Sequence, residues 1–198
     1  GLDVQKINWF SNYHVHHRVA VDFQKGRVFI SGDAGHIHSP AGGQGMNTGI
    51  GDAINLAWKL ADVINGDFDP QILKSYHEER HAFAKILIQT TDQAFKIIAS
   101  RGVIGSFFRT YILPEVFASL TRIPYFLKIM FRTVSQIRIN YRGQSLSRGH
   151  AGDIVAGDRL PWVKTPTGDN YDSLKLLNWQ IHVYGKAFTG FKNAFAKI

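Results

Sequence analysis

The sequence predicts an α/β fold, and three consecutive features support that prediction. Residues 1–30 are rich in aromatic and β-favouring residues and end in the short apolar run "RVFIS", which is typical of strands. A glycine-rich turn follows, and apolar residues then recur with helical period from about Met46 to Ile64. In α/β proteins a turn of this kind lies at the edge of the sheet where ligands bind.

Two long helices are predicted after the turn. The apolar positions of the first follow the helical period: Ile50, Ala53, Ile54, Ala57, Trp58, Ala61 and Ile64. Gly66 suits the position just past its end, because glycine readily adopts the left-handed conformation found there. Asp69-Pro70 then provides an N-cap and a first-turn proline for a second helix, which we expect to extend as far as Gly102.

The remainder of the chain divides into three stretches. From Gly102 to Ile139 the sequence is aromatic, apolar and basic, and we expect Pro114 and Pro124 to break it into short helices. A polar stretch, "YRGQSLSRGHAGDIVAGDRLP", is typical of a linker. The tail predicts a helical turn followed by one strand, "WQIHVYG".

Composition excludes several classes of protein. The 198 residues are 44% hydrophobic and 19% charged, as in a globular protein with a core. The chain has no cysteine, so disulfides, thiolate metal sites and cysteine nucleophiles are excluded. No apolar run reaches ~18 residues, so we expect no transmembrane helix. The first residues lack the pattern of a signal peptide, and we expect a cytoplasmic location.

The glycine-rich turn holds the candidate binding residues. Gly32-Asp33 places a carboxylate at the end of the predicted strand, where it can accept hydrogen bonds from vicinal hydroxyls of a sugar or polyol, or simply cap a turn. In "SPAGGQGMN" the glycines leave the backbone accessible, and the helix that follows presents free N–H groups to a group that develops negative charge. A glycine-rich loop without a ligand is the alternative. The stretch fits neither a Walker loop nor G-x-G-x-x-G, whose last position is Thr48 here.

A set of residues in fixed order resembles the second flavin motif of the FAD-dependent aromatic hydroxylases, the p-hydroxybenzoate hydroxylase-like class A flavoprotein monooxygenases. The set comprises Gly32-Asp33, His36, Pro40, Gly45-Met46-Asn47, Asp52-Ala53, Asn55-Leu56 and Trp58-Lys59-Leu60. The match is close over residues 26–60 and looser through "LKSYHEERHAFAKILIQTTD". The tail is similar to the start of the thioredoxin-like domain of the phenol hydroxylase branch.

The resemblance implies a domain order. Residues 1–20 would end a substrate domain, and residues 21–140 would form the C-terminal part of a FAD-binding, glutathione-reductase-like Rossmann-type domain with a helical extension. Residues 141–198 would be a linker and the start of a thioredoxin-like domain. The family's amino-terminal G-x-G-x-x-G unit is absent from the sequence. We therefore expect a piece of a longer polypeptide that binds FAD weakly or not at all alone.

The resemblance also implies roles for single residues. Asp33 would bind the ribityl hydroxyls of FAD, with Gly32 allowing close approach of the backbone. Pro40 would lie beside the isoalloxazine ring where oxygen reacts, as the one catalytic position, and His36 would brace the loop. The remaining flavin contacts would come from the loop and the helix start, at Gly43, Gly45, Met46 and Asn47.

The implied activity is hydroxylation of an aromatic, phenol-like ring, with FAD as cofactor, NAD(P)H as co-substrate and O2 as oxidant. The implied partners are that aromatic substrate and the missing N-terminal part of the same polypeptide, and a homodimer is compatible with the family. A quinone- or polyketide-directed relative within the same superfamily fits the motif equally well. Residues that would contact the ring are mostly absent, so the sequence does not choose among these substrates.

A basic segment leaves a second function open. Residues 116–152 contain no acidic residue, and the whole chain has a net charge of +8. Aromatic residues interleaved with arginines could form an amphipathic surface for anionic lipid or nucleic acid. We favour helices that pack on the rest of an enzyme and expect no nucleic acid partner, because no nucleic-acid motif accompanies the charge. The alternative is an inactive remnant that acts as a basic interaction module for an anionic partner.

The histidines and glutamates are assigned structural roles. His14 and His16 would share one face of a strand, and His36 and His38 have the same spacing, but we expect no helical i,i+4 histidine pair and no nearby carboxylate to complete a ligand set. We therefore expect no metal site. Glu78-Glu79 is expected to pair with Arg80 or neighbouring lysines on a helix, as ordinary ion pairs.

Overall fold

A computed structural model of the chain describes residues 5–6, 8–12, 16–38, 43–99, 102–176 and 179–183, with backbone alone at 94–99 and 104. The chain divides into two compact units, Gly1–Arg159 and Leu160–Ile198. The first contains all of the long helices described. The assignment of residues 1–20, 21–140 and 141–198 to a substrate domain, a FAD domain and a thioredoxin-like domain stays a prediction.

The first unit begins with short antiparallel strands. Strand β1 (Arg18–Val19) pairs with β4 (His36–Ile37), and β2 (Gln24–Lys25) pairs with β3 (Val28–Phe29). Glycine at position 26 has a φ of +60° in the turn that joins β2 to β3. The strands are shorter than the apolar run "RVFIS" predicts. A short apolar run of this kind also predicts that the strand is buried, and this is wrong here, because β3 pairs on one side only and Val28 remains 67% exposed.

The two long helices lie where the sequence places them. Helix α1 (Gly45–Asn65) ends at Gly66, which has a φ of +81° and donates its N–H to the carbonyls of Asp62 and Val63. A 3-10 turn (Pro70–Leu73) follows, and the Asp69 carboxylate accepts a hydrogen bond from the Gln71 N–H at 2.8 Å. That turn leads into α2 (Lys74–Ala99). Both predicted helix boundaries, the left-handed glycine and the Asp-Pro start, are confirmed.

The aromatic, basic stretch folds as short helices. Helix α3 (Val103–Phe107) continues through a π-helical turn (Phe108–Ile112) into α4 (Leu113–Leu120), and α5 (Pro124–Val134) follows a break. The proline at position 124 begins a helix, as predicted. The proline at position 114 likewise lies in the first turn of α4, directly after the π-helical turn, at a place in a helix where a missing N–H is tolerated.

Two small hairpins and a 3-10 turn make up the rest of the described chain. The first unit closes with β5 (His150–Ala151) and β6 (Ile154–Val155). The second unit has β7 (Lys164–Thr165), β8 (Gly168–Asp169) and a 3-10 turn (Asp172–Lys175), which confirms the predicted helical turn. Residues 179–183 form no strand, and the end of the predicted strand "WQIHVYG" lies outside the described residues. Among the described helices, none is both long and apolar enough to cross a bilayer.

Helix α1 buries its polar side. The small apolar core consists of Phe23, Tyr76 and Ala84, with half-buried apolar neighbours from β1, β3 and α1. The buried residues of α1 are instead Thr48, Asp52, Asn55 and Lys59. The apolar positions do follow the helical period, yet Ile54 and Ile64 are 64% and 81% exposed. An amphipathic helix of a globular protein normally has the reverse orientation.

Candidate functional site

The Gly32–Ala34 turn packs directly on the first part of α1. Gly32 has a φ of +57°, which favours glycine, and it lies against Gly49: a Cβ atom built on Gly49 would be 3.5 Å from the Gly32 Cα. Asp33 is exposed, and its carboxylate has no hydrogen-bond partner among the described residues. The turn therefore presents a free carboxylate beside the start of a helix.

The N-terminus of α1 has no side-chain cap. Gln44 precedes the helix without capping it, and the first turn contains no acidic residue. Met46 is 75% exposed and Asn47 is exposed, while the Thr48 N–H already bonds to the Gln44 carbonyl at 3.0 Å. The N–H groups before Thr48 have no partner within the helix. The first turn of α1 therefore presents unpaired N–H groups and contributes no acidic side chain of its own to the positive end of the helix dipole.

Asp52, a buried residue of α1, holds the Gly32–Ala34 turn to that helix. Its Oδ2 accepts hydrogen bonds from the Gly32 N–H at 3.0 Å and from Nε2 of His36 at 2.7 Å. Asp52 and His36 are both buried. The predicted bracing role of His36 is therefore supported by the geometry: its ring fixes β4 and the turn to the same carboxylate of α1.

Arg80 of α2 completes this buried group. Its Nε donates to Oδ1 of Asp52 at 2.7 Å, its Nη2 to the Thr48 carbonyl at 3.3 Å, and its Nη1 to the Tyr141 hydroxyl at 3.0 Å. Burial alone would raise the pKa of Asp52, but hydrogen bonds from His36, Arg80 and the Gly32 amide together hold that pKa below its usual value. Burial opposes the charge on Arg80, yet Tyr141 and Asp52 raise the pKa of its guanidinium.

A second ion pair lies further along the same two helices. Lys59 donates to Oε2 of Glu79 at 2.8 Å and to the side-chain Oδ1 of Asn55 at 2.9 Å, and the side-chain amide of Asn55 donates to the same Glu79 oxygen at 2.7 Å. Burial lowers the pKa of Lys59, and the neighbouring Glu79 only partly offsets this. Glu79 thus pairs with a lysine, as expected, but with one on α1 and not on its own helix.

The segment after α5 reaches the start of α1. Gln136 adopts a left-handed φ of +58°, and its amide donates to the Thr48 hydroxyl at 3.1 Å. Gln44 donates in turn to the Thr133 carbonyl at 3.4 Å. This part of the basic segment therefore contacts the first turn of α1 through polar groups.

Sequence reasoning found the turn but not the buried group beneath it. The structure brings Gly32 together with the first turns of α1, whereas Pro40 lies outside the described residues. Gly43, with a φ of +61°, and Gly45 lie immediately before and at the helix start. Asp52 belongs to the motif set, and Arg80 is expected only as a partner of Glu78-Glu79, so the bond between Asp52 and Arg80 is not predicted. The sequence does carry a signal for a buried polar side of α1, because polar residues at 48, 52, 55 and 59 repeat with helical period.

The expectation that the chain has no histidine pair at helical i,i+4 spacing was wrong. His77 and His81 stack on α2 with their rings 4.6 Å apart. Nδ1 of His77 accepts the Phe23 N–H at 3.1 Å, so the ring holds the β1–β2 connection in place. Burial, with Lys85 and His77 nearby, lowers the pKa of His81. Within the described ranges no three histidine or acidic side chains are grouped to hold a metal ion.

Comparison with known proteins points to one family. Residues 2–91 match the FAD binding domain family. The chain is 38% identical over 155 residues to pentachlorophenol 4-monooxygenase of Sphingobium chlorophenolicum, covering 77% of this chain and 27% of that protein. Several of the relatives are named monooxygenases or hydroxylases, which does not favour the alternative of a basic interaction module.

Solved structures agree with this match. OxyS anhydrotetracycline hydroxylase from Streptomyces rimosus superposes with a TM-score of 0.59 at 31% identity, covering 78% of this chain and 29% of that one. The rebeccamycin biosynthetic enzyme RebC with reduced flavin gives a TM-score of 0.58 at 32% identity, covering 81% of this chain and 33% of that one. The chain thus spans a third or less of these proteins, and its helices and strands fit an α/β flavoprotein fold. By this match and these relatives, the chain is similar to the FAD-dependent aromatic hydroxylases.

Proposed function

We propose that residues 26–60 form the ribityl- and isoalloxazine-contacting part of the FAD site in an aromatic monooxygenase. The observation that supports this best is the uncapped N-terminus of α1 beside the free carboxylate of Asp33. A sugar-like chain needs hydrogen-bond acceptors, and an electron-rich ring edge needs donors. The Asp33 carboxylate in the turn offers the acceptors, and the N–H groups at the start of α1 offer the donors.

Asp33 suits the ribityl chain of FAD. Its carboxylate lone pairs have no partner among the described residues, so they remain available to two vicinal hydroxyls. The turn that carries Asp33 is held by the Gly32–Asp52 hydrogen bond rather than by Asp33 itself. Asp33 can therefore bind a ligand without giving up a bond that the fold needs.

The start of α1 suits the pyrimidine edge of the flavin. Backbone N–H groups of Gly45, Met46 and Asn47 have no partner in the helix, and a helix N-terminus stabilises a nearby negative charge by about 0.3–2 kcal/mol. Bound FAD would supply the redox chemistry between NAD(P)H and O2. The glycines at 43 and 45 keep the approach to the backbone open, and we assign Pro40 to the face where oxygen reacts.

More polypeptide is needed to complete the site. The apolar side of α1 is exposed at Ile50, Ile54 and Ile64 in this chain. We propose that the missing amino-terminal part of the same polypeptide covers it and binds the rest of FAD. In the same scheme, residues 141–198 form a linker and the start of a thioredoxin-like domain, and the whole enzyme is cytoplasmic and compatible with a homodimer.

The substrate we propose is a phenol-like aromatic ring. The relative from Sphingobium chlorophenolicum acts, by its name, on pentachlorophenol, and OxyS is named a hydroxylase of anhydrotetracycline. Hydroxylation by reduced flavin and O2 requires an electron-rich ring, which a phenol provides. NAD(P)H is the proposed source of the electrons.

The test is to express the chain together with the coding sequence that precedes it in its gene. We expect flavin absorbance at one FAD per chain and NAD(P)H oxidation that a phenol stimulates, whereas residues 1–198 alone retain little or no FAD. Asp33→Ala removes two charge-assisted hydrogen bonds and should weaken FAD binding at least about tenfold. Asp67→Ala, at another exposed carboxylate just after α1, is the control and should change nothing. Full FAD retention by Asp33→Ala would contradict the assignment.

A further inference from the structure

Two buried ion pairs join α1 to α2, and they differ in what else they contact. Lys59 and Glu79 share hydrogen bonds with Asn55 of α1. Asp52 and Arg80 are equally buried but reach outside the two helices. The first pair can only hold helix to helix, whereas the second can also fix the segments around it.

Two contacts of the Asp52–Arg80 pair lie at the candidate flavin site. The Asp52 carboxylate holds the Gly32 amide, which starts the turn that carries Asp33. The Arg80 guanidinium holds the Thr48 carbonyl, in the first turn of α1. The pair therefore connects the proposed ribityl contact to the proposed ring contact through three side-chain hydrogen bonds.

We propose that Asp52 and Arg80 are positioning residues that set the Gly32–Asp33 turn and the start of α1 at the spacing FAD requires. This inference rests on the proposed function of the two segments. It assigns neither residue a contact with the cofactor: both act through backbone groups that they hold in place.

The chemistry of the two side chains suits this role. A guanidinium is planar and rigid, so bonds from Nε to Asp52 and from Nη2 to Thr48 fix the distance between the two acceptors. A carboxylate oxygen that accepts both the Gly32 amide and His36 joins turn and strand in the same way. Tyr141 holds the far end of the guanidinium, so the segment after α5 also contributes to its orientation.

Hydrogen exchange tests the positioning without any cofactor. In residues 1–198, Asp52→Asn should accelerate amide exchange of Gly32, Gly35 and the first turns of α1 at least about tenfold, because a loosened hydrogen bond opens locally. Arg80→Lys should accelerate amide exchange at the start of α1, since a lysine cannot reach both the Asp52 carboxylate and the Thr48 carbonyl. Glu79→Gln is the matched control, buried between the same helices, and should leave these amides within about twofold of wild type while it affects the middle of α1.

A milder variant covers the case in which Asp52→Asn does not fold. Tyr141→Phe removes only the hydroxyl at the end of the Arg80 guanidinium, and it should produce a smaller increase at the same amides. Equal acceleration by Asp52→Asn and Glu79→Gln, or uniform acceleration along the chain in every variant, would overturn the inference.

FAD binding tests the link to function. In the longer polypeptide, Asp52→Asn and Arg80→Lys should weaken FAD binding at least about tenfold and shift the flavin absorbance, because that band reports the polarity around the ring. Glu79→Gln should bind FAD as wild type does. If the wild-type polypeptide binds no FAD, the proposed function fails. The hydrogen-exchange experiment in residues 1–198 then still shows whether Asp52 and Arg80 hold the turn and the start of α1 in place. If it binds FAD and all three variants lose it equally, the positioning role fails.

Discussion

Lys59 and Glu79 form an ion pair in the interface between α1 and α2, with side chains that are 0% and 6% exposed. Asn55 bonds to both of them, so each polar group of the cluster has a partner. The first unit thus joins its two long helices with satisfied polar groups, where most helix pairs use leucine and isoleucine. Such an interface depends on every partner being present.

Lys59→Met should destabilise the chain by about 3 kcal/mol, because it leaves the Glu79 carboxylate buried with Asn55 as its remaining partner. Urea unfolding followed by circular dichroism measures the change. The double variant Lys59→Met, Glu79→Leu should recover most of the loss, since an apolar pair of similar volume replaces a buried ion pair at little cost. A loss below about 1 kcal/mol in the single variant would show that water reaches the carboxylate.

The stability of the chain should fall in acid partly because of Asp52. Burial would raise the pKa of this carboxyl, but its bonds to His36, Arg80 and the Gly32 amide leave the pKa lowered. A carboxyl with a lowered pKa in the folded state stabilises that state above about pH 4 and loses the effect as the pH falls through its folded pKa. The stability difference between wild type and Asp52→Asn should therefore shrink from neutral pH to about pH 2.

Urea unfolding of both proteins across that pH range measures the difference. Asp67→Asn serves as the control, because this carboxylate is exposed and its variant should parallel wild type at every pH. A difference between wild type and Asp52→Asn that stays constant down to about pH 2 would mean that the pKa of Asp52 does not change on folding.

The elements of the fold follow from local sequence more closely than the site does. Gly66 and Asp69-Pro70 mark helix ends through backbone preferences that need no other part of the chain. The orientation of α1 depends on what lies on each side of it, and here its apolar side has no cover among the described residues. The Asp52–Arg80 pair joins residues 28 positions apart, so the spacing of neighbouring residues could not reveal it.

Alanine substitutions at two glycines of α1, Gly49 and Gly51, should have different effects on the stability of the chain. Alanine is favoured over glycine within a helix by about 1 kcal/mol. At Gly49 the new Cβ would lie 3.5 Å from the Gly32 Cα, an ordinary contact, so Gly49→Ala should gain most of that amount. A Cβ atom at position 51 would lie only 3.0 Å from Nη2 of Arg80. The Arg80 guanidinium cannot easily move away, because three hydrogen bonds hold it in place. Gly51→Ala should therefore show no gain or a net loss in urea unfolding, and equal gains would mean that Arg80 moves freely.

Gly66→Ala should destabilise the chain by about 1 kcal/mol, because the C-cap of α1 has a φ of +81° and an L residue is strained in that conformation. No atom lies within 4 Å of the added methyl, so steric contact does not contribute. Gly66→Asn should cost less than alanine, since asparagine tolerates the left-handed region. Thermal unfolding of the two variants gives the comparison, and a harmless alanine would mean that the helix ends one residue earlier in solution.

The chain should be more stable with Gln136→Gly than with Gln136→Ala. Both substitutions remove its bond to the Thr48 hydroxyl, but only glycine also relieves the φ of +58°, which costs an L residue about 1–2 kcal/mol. Arg132, at an exposed position of α5, provides the matched comparison. There the alanine variant should have a free energy of unfolding about 1 kcal/mol higher than that of the glycine variant. Urea unfolding of the four variants tests this reversal of sign. The same order at both positions would mean that Gln136 is not left-handed in solution and that its contact with the first turn of α1 is not maintained.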